Sequence, residues 1–254
     1  MKMTIEALLF IVAALQDHKV TAVGYPLDMA LNSVDDQYKG CTEKMADLVK
    51  TKYLEKEMSW LNIENYNYKT AEDNLTQNHS VAIYMYTNSD VKVHRKFNMD
   101  VLSGKEKYRT DAFSWHSLHF LLTEAIQILR KTQNGCFSTY RGTNLHFDRK
   151  VLNKEVRFGF FASSTLDRNK AESFGNVSCF EIHTCEGADV AKYSKFPLEE
   201  EVLIPPYETF RVSAVKTRTF ADDLWCETVY MLESTGKRSA LNCALVNRRD
   251  DEIL

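Results

Sequence analysis

The chain changes texture once, at the turn dipeptide Asn134-Gly135, and that switch limits the folds open to it. Before it, apolar residues recur at helical spacing. Trp115, Leu118, Leu122, Ala125 and Leu129 follow one another at steps of three and four, which puts them on one stripe of a helix. Met45 to Leu61 reads as a second helix, and Asn62 to Ser80 as an Asn- and Tyr-rich connection. After the switch come short runs rich in aromatic and β-branched residues: Phe137 to Arg141, Val156 to Ser164, Val177 to Thr184, Glu200 to Ile204, Phe210 to Lys216 and Thr228 to Leu232. Polar, Gly or Pro segments separate them, the pattern of strands. Helices first and strands afterwards predict an α+β fold. A chain of 254 residues, 44% of them hydrophobic, can bury one sizeable core. The prediction is therefore one domain, helical to about residue 132 and β-rich after it.

Composition removes several function classes. With 32 Lys plus Arg against 35 Asp plus Glu the formal charge is -3, and no basic block stands out, so no nucleic-acid partner is expected. No Gly-x-Gly-x-x-Gly follows a strand and no Gly-rich loop carries a Lys, so neither usual nucleotide-binding fold is signalled. Residues 1–22 carry a weakly positive start at Met1-Lys2-Met3, an apolar run from Ala7 to Leu15, and small residues at Val20-Thr21-Ala22. That pattern predicts a signal peptide, with 23–254 as the single mature domain; the alternative is an amphipathic first helix, with Glu6 at the edge of the run. The run is too short to span a membrane, and the polar end from Asn247 to Leu254 lacks a glycolipid-anchor tail. A secreted, extracellular chain with no membrane anchor is the expectation. Three glycan acceptor sequons agree with it, at Asn74-Leu75-Thr76, Asn78-His79-Ser80 and Asn176-Val177-Ser178. The six cysteines, Cys41, Cys136, Cys179, Cys185, Cys226 and Cys243, include no Cys-x-x-Cys pair. They read as disulfides of open connectivity, and no metal site is expected.

Three segments of the β-rich half could carry chemistry. In Thr139-Tyr140-Arg141-Gly142-Thr143 an Arg at a strand end precedes a Gly. A guanidinium there can fork onto a pair of phosphates, and a glycine lets backbone approach a ligand. The plainer reading is a surface Arg. Phe160-Phe161-Ala162-Ser163-Ser164-Thr165 sets three hydroxyls after an aromatic strand, which is also common in ordinary strand-to-loop turns. Glu199-Glu200-Glu201-Val202-Leu203-Ile204-Pro205-Pro206 runs from charges into an apolar stretch closed by two prolines. On an extended strand, Glu199 and Glu201 share a face about 7 Å apart while Glu200 points away. One such carboxylate can stabilise a developing sugar cation and the other can hold a second substrate. A solvated charge run is the bland alternative.

In that order the three segments resemble the vertebrate ecto-ADP-ribosyltransferases, mono-ADP-ribosyltransferases related to the cholera-toxin-like bacterial enzymes. The likeness extends to Asn32 through Tyr38, to Leu118-His119-Phe120 and to His183-Thr184-Cys185, and covers most of the chain from about Asp28 to Val246. It implies a helical lobe packed on a mixed, β-sandwich-like core with an NAD cleft. It implies transfer of ADP-ribose from NAD to arginine side chains of extracellular proteins, with release of nicotinamide. Within the resemblance Glu201 stabilises the sugar cation and Ser163 orients Glu201. Arg141 binds the NAD phosphates, Gly142 bonds the nicotinamide amide, Phe174 stacks on nicotinamide, and Glu199 selects arginine as acceptor. It also implies Cys41 paired with Cys243 and Cys136 with Cys185, leaving Cys179 and Cys226 as a third bridge or two free thiols. The hydroxyl motif departs mildly, reading Ser163-Ser164-Thr165. NADP stays open as a second co-substrate, and two other activities stay open: NAD glycohydrolysis, and an inactive secreted binding module of the same fold.

Overall fold

The computed structural model describes residues 24–61, 68–90, 93–219 and 223–247, so the signal-peptide expectation for 1–22 lies outside the described residues. The helical half comes first. Helix α1 (Thr42–Leu48) runs through a π turn (Val49–Tyr53) into α2 (Leu54–Leu61), followed by α3 (Gln77–Thr87), α4 (Val93–Ser103), the short α5 (Lys105–Arg109) and α6 (His116–Thr132). The stripe read in the sequence is the buried face of α6: Leu118, Leu122, Ala125 and Leu129 are all buried. Helix α3 begins inside what the sequence presents as a connection. Thr76 caps it in a reciprocal arrangement with His79, which satisfies backbone groups that the open end would leave unpaired. Among the described residues no helix is long and apolar enough to cross a membrane.

Among its described residues the second half supplies eight strands: β1 (Phe137–Thr143), β2 (Glu155–Val156), β3 (Ala162–Thr165), β4 (Ser178–Thr184), β5 (Ala188–Asp189), β6 (Glu201–Ile204), β7 (Glu208–Thr217) and β8 (Thr228–Lys237), with helix α7 (Arg168–Ser173) between β3 and β4. They lie in the order β2-β7-β8-β4-β1-β3-β6-β5. β4 and β8 are parallel and the other pairs antiparallel, so the sheet is mixed. β1 and β3 share one registered pair, Tyr140 with Thr165, so the sheet is thinnest there.

The expected strand from Val156 to Ser164 is broken in two. Val156 pairs with Phe210 of β7 near one end of the sheet, whereas β3 lies between β1 and β6. The crossing between them uses Gly159 at φ +69, a left-handed conformation that glycine adopts without strain. It also uses the buried Arg157, whose guanidinium meets Asp35 at 2.7 Å. Strand alternation divides the core between the two faces. Phe161 and Leu203 join the α6 side with Phe120 and Ile126, while Ala162 and Ile204 join the opposite cluster with Phe158, Phe180, Phe210 and Tyr230.

The motif around Asn32 through Tyr38 ties the two chain ends together. Besides Arg157, Asp35 accepts from the backbone N–H of Ala240 and Leu241, and Asp36 accepts from those of Tyr38 and Cys243 and from the Tyr108 hydroxyl. Burial pushes the Asp36 carboxyl up to about 6. The disulfide Cys41–Cys243 closes the same junction, Cys136–Cys185 joins the start of β1 to the end of β4, and Cys179–Cys226 forms the third bridge.

Candidate active site

Strand order alone makes neighbours of the three motifs, because β1, β3 and β6 are adjacent. Arg141 leaves β1 and donates from Nη1 to the carbonyl of Ser163 on β3 at 2.6 Å, with its guanidinium 5.8 Å from the Phe160 ring centroid. Enclosure lowers the guanidinium's pKa, while Tyr86 and Glu201 hold it up. The hydroxyl run divides its work. Ser163 stands beside the Glu201 carboxylate and favours its charged form, Ser164 donates to the carbonyl of Val202 at 2.9 Å, and Thr165 donates to the carbonyl of Glu199 at 2.7 Å. The last two pin the glutamate segment through its backbone, a role the sequence does not separate from that of Ser163.

Glu201 opens β6 opposite Thr165 and is 5% exposed. Burial pushes its carboxyl up to about 7; the Ser163 bond and Arg141 pull it down, and Glu199 pushes it further up. Desolvation disfavours the charged form more than one hydrogen bond and one cation favour it. The result is a carboxylate whose charge changes near neutral pH.

Glu199 and Glu200 depart from the extended geometry expected of them. Pro197–Glu199 is a 3-10 turn, Glu200 sits at φ +50, and the strand starts at Glu201. Two interactions favour this: Thr165 holds the Glu199 carbonyl, and Glu200 reaches Lys170 of α7 at 3.1 Å. The turn still leaves Glu199 close enough to raise Glu201, and leaves its own half-buried carboxyl raised by burial. Glu200 is directed to α7, so the outer two of the three glutamates act on one another.

Gly142 is required by packing. A Cβ there would lie 2.2 Å from the Ala171 carbonyl oxygen and 2.3 Å from that of Gly175, so α7 and the loop after it can pack on β1 only over a glycine. That loop presents Phe174, 54% exposed at the C-cap of α7. Asn176 and Asn74 are exposed, and Asn78 is half-buried in the first turn of α3. Cys136, His183 and Cys185 converge as metal-type ligands among the described residues, but both sulfurs are in one disulfide and carry no thiolate.

The helical lobe contributes side chains that the sequence reading passes over. Tyr86 of α3 is buried, donates to the carbonyl of Phe161 at 2.5 Å and lies 3.5 Å from the Ser163 hydroxyl. Asn98 of α4 donates from Nδ2 to the Tyr86 oxygen at 2.9 Å and to the Phe161 carbonyl at 3.0 Å. His94, also on α4, has its pKa lowered by burial and by Arg95 and Arg141. The signal for Tyr86 is faint: it ends the apolar run Val81 to Tyr86, where an aromatic residue reads as core.

The profile of one family, NAD:arginine ADP-ribosyltransferase, matches residues 27–225. The chain belongs to that family. It is 36% identical over 247 residues to the GPI-linked NAD(P)(+)--arginine ADP-ribosyltransferase 1 of Mus musculus, covering 88% of this chain and 74% of the relative. It is 34% identical over 268 residues to the ecto-ADP-ribosyltransferase 5 of Rattus norvegicus, covering 95% and 84%. Among solved structures it resembles a variant of the eukaryotic mono-ADP-ribosyltransferase ART2.2 in complex with NAD, at 30% identity and a TM-score of 0.62, over 86% of this chain and 98% of that one. An ADP-ribosyltransferase fold thus carries the Arg141, Ser163 and Glu201 cluster.

Proposed function

We propose that this chain transfers ADP-ribose from NAD to arginine side chains of extracellular proteins, releasing nicotinamide. The observation that carries the reading is the pairing of the buried Glu201, bonded by Ser163 and beside Arg141, with a second, half-buried carboxylate at Glu199. Three disulfides and the likeness to GPI-linked and ecto relatives support an extracellular setting.

Arg141 holds the NAD phosphates as a charged fork, with Phe174 against the nicotinamide ring and the main chain at Gly142 bonding its amide. The bond between nicotinamide nitrogen and ribose C1′ breaks and its electron pair leaves with nicotinamide, which departs neutral. Positive charge develops on C1′ and the ring oxygen. Glu201, ionised and turned by Ser163, bonds the ribose hydroxyl and stabilises that charge, as carboxylates do in glycoside cleavage. An arginine nitrogen attacks C1′, a new C–N bond forms, and one proton is released. Glu199 holds the acceptor guanidinium in a two-bond fork and is the base placed to take that proton, its affinity for it raised by burial. NADP is a second donor on this reading, since its reacting end is the same.

The test uses labelled NAD with either agmatine or water as acceptor. Glu201→Gln keeps the shape and loses the charge, so transfer and hydrolysis both fall by about a hundredfold or more, the scale for one electrostatic stabiliser. Glu199→Gln abolishes transfer to agmatine and leaves hydrolysis measurable, because water needs no fork. Normal agmatine transfer by Glu199→Gln would remove the case for arginine as acceptor. Hydrolysis alone in the wild type would make the chain an NAD glycohydrolase, and no turnover would make it a binding module.

A further inference from the structure

We propose that Tyr86, on α3 of the helical lobe, is a positioning residue that competes with Glu201 for the single hydroxyl proton of Ser163 and so sets how that serine serves the carboxylate. The inference rests on the reading of Glu201 as the carboxylate that stabilises the sugar cation.

The geometry leaves the tyrosine one way to act. Its ring is held between Phe97 and Phe161, with centroids at 6.1 and 6.2 Å, and its own proton is spent on the Phe161 carbonyl at 2.5 Å. Toward Ser163 it can therefore only accept. Asn98 fills part of that accepting capacity from 2.9 Å and fixes the direction of what remains. Ser163 has one proton and two acceptors, the Tyr86 oxygen at 3.5 Å and the Glu201 carboxylate. An ionised carboxylate is the stronger acceptor and takes the proton; once Glu201 is protonated, the tyrosine oxygen takes it instead. Tyr86 thus gives the neutral form of Glu201 a satisfied serine, which stabilises that form and works against ionisation.

Removing one member at a time gives opposed signs. Tyr86→Phe leaves the neutral state without a second home for the serine proton, so Glu201 ionises at lower pH. Ser163→Ala removes the bond to the charged state, so Glu201 ionises at higher pH. Asn98→Ala frees the tyrosine oxygen to pull harder on Ser163, again moving ionisation to higher pH. In a Ser163→Ala background, Tyr86→Phe has no further effect, since no shared proton is left. Among the described residues the other charged groups facing the pair are Arg141 of β1, which favours ionised Glu201, and Glu199 of the 3-10 turn, which opposes it; neither changes in these variants. His94 of α4 faces Arg141 and titrates below its ordinary value, so each comparison is repeated in a His94→Gln background.

The experiment measures kcat/KM for NAD cleavage from pH 5 to pH 9 in the wild type, the three single variants and the Tyr86→Phe, Ser163→Ala double variant. In parallel the Glu201 carboxyl is titrated by carbon-13 NMR without NAD, its signal assigned by its loss in Glu201→Gln. For Tyr86→Phe the ratio of activity at pH 6 to that at pH 8 rises about threefold, the scale of one modest hydrogen bond, and the NMR titration moves the same way. A shape-only role for Tyr86 would lower kcat and leave both pH readouts in place. An unmoved or upward-moving titration in Tyr86→Phe, or an equal Tyr86→Phe effect with and without Ser163, overturns the proposal alone. Wild-type NAD cleavage with no acid limb, or no cleavage at all, overturns the reading of Glu201 and this inference with it. Should Tyr86→Phe fail to fold, Asn98→Ala decides: an unmoved or downward-moving Glu201 titration refutes the competition.

Discussion

Replacing Glu201 by Gln should make the protein more stable while making it inactive, and the gain should depend on pH. Folding raises the Glu201 carboxyl from 4.5 to about 7, chiefly by burial. A group whose folded pKa lies above its unfolded value binds more protons in the native state between those two values. Its contribution to stability is complete below about 4.5 and is lost as pH rises through about 7. The difference of between two and three units, at roughly 1.4 kcal/mol per unit, means that the ionised side chain costs about 3 kcal/mol above pH 8. Gln keeps the volume and an acceptor for Ser163 and removes the charge that desolvation penalises. Urea unfolding of both proteins with disulfides intact, at one ionic strength, is the assay. Near pH 4.5 the two should agree to within about 1 kcal/mol, and at pH 8 the variant should lead by about 2 to 3 kcal/mol. Other groups bend the absolute profiles, among them Glu57 raised to about 7 and His116 and His119 lowered to about 4. They are common to both proteins and cancel in the difference. A stability difference that does not change with pH would show that Glu201 is not held against its charge, and would undo the electrostatic argument for its role.

Three further outcomes follow from the frame around the site. Cutting the Cys41–Cys243 bridge with a pair of serines frees a loop spanning 202 positions, which in the chain-entropy model costs about 5 kcal/mol, read as a fall in the urea midpoint. Asp35→Asn leaves Arg157 buried beside a neutral side chain and should cost about 3 to 5 kcal/mol by the same measurement, the penalty of an uncompensated buried charge. Gly142→Ala drives a Cβ into two backbone carbonyls of the α7 segment, so it should destabilise by about 1 to 3 kcal/mol and raise the KM for NAD by displacing Phe174; unchanged stability and KM would mean that the segment yields freely.

What the sequence made legible was local. The Trp115 to Leu129 stripe and the aromatic runs after Gly135 declare their elements because each periodicity is complete within a short stretch of chain. Arg141, Ser163 and Glu201 were found as separate motifs, and adjacency of β1, β3 and β6 is what brings them together. The misses share a physical cause, the decision being taken by residues distant in sequence. Val156 to Ser164 carries strand composition throughout, but Asp35, 122 positions away, draws Arg157 out of the ladder. Three consecutive glutamates look extended until Thr165 and Lys170 bend them. Tyr86 shows its hydroxyl chemistry only when α3 meets the strand carrying Phe161 and Ser163.

That bend bears on how two carboxylates so near each other keep different properties. Had Glu199 and Glu201 lain on one strand face, both would meet similar surroundings and each would raise the other alike. The 3-10 turn and the left-handed Glu200 break the equivalence. Glu201 is drawn into the sheet, with Arg141 and Ser163 to offset its charge, while Glu199 stays half-buried, its carboxyl raised by burial. Leu198, 85% exposed, and Phe174, 54% exposed, stand on the segments that lead into Glu199 and out of α7. On the proposed reading, a buried carboxylate suits a cation that forms only after NAD has filled the site, and a half-exposed one suits a guanidinium that must arrive from solvent. The Glu200 backbone therefore bears on the division of labour. Glu200→Gly, which relaxes the left-handed position without loss of any carboxylate assigned to chemistry, should leave both activities near wild type, whereas Glu200→Val, β-branched and strained at that φ, should depress arginine transfer more than hydrolysis. Equal depression of the two would mean that the turn serves the fold and not the separation of the carboxylates.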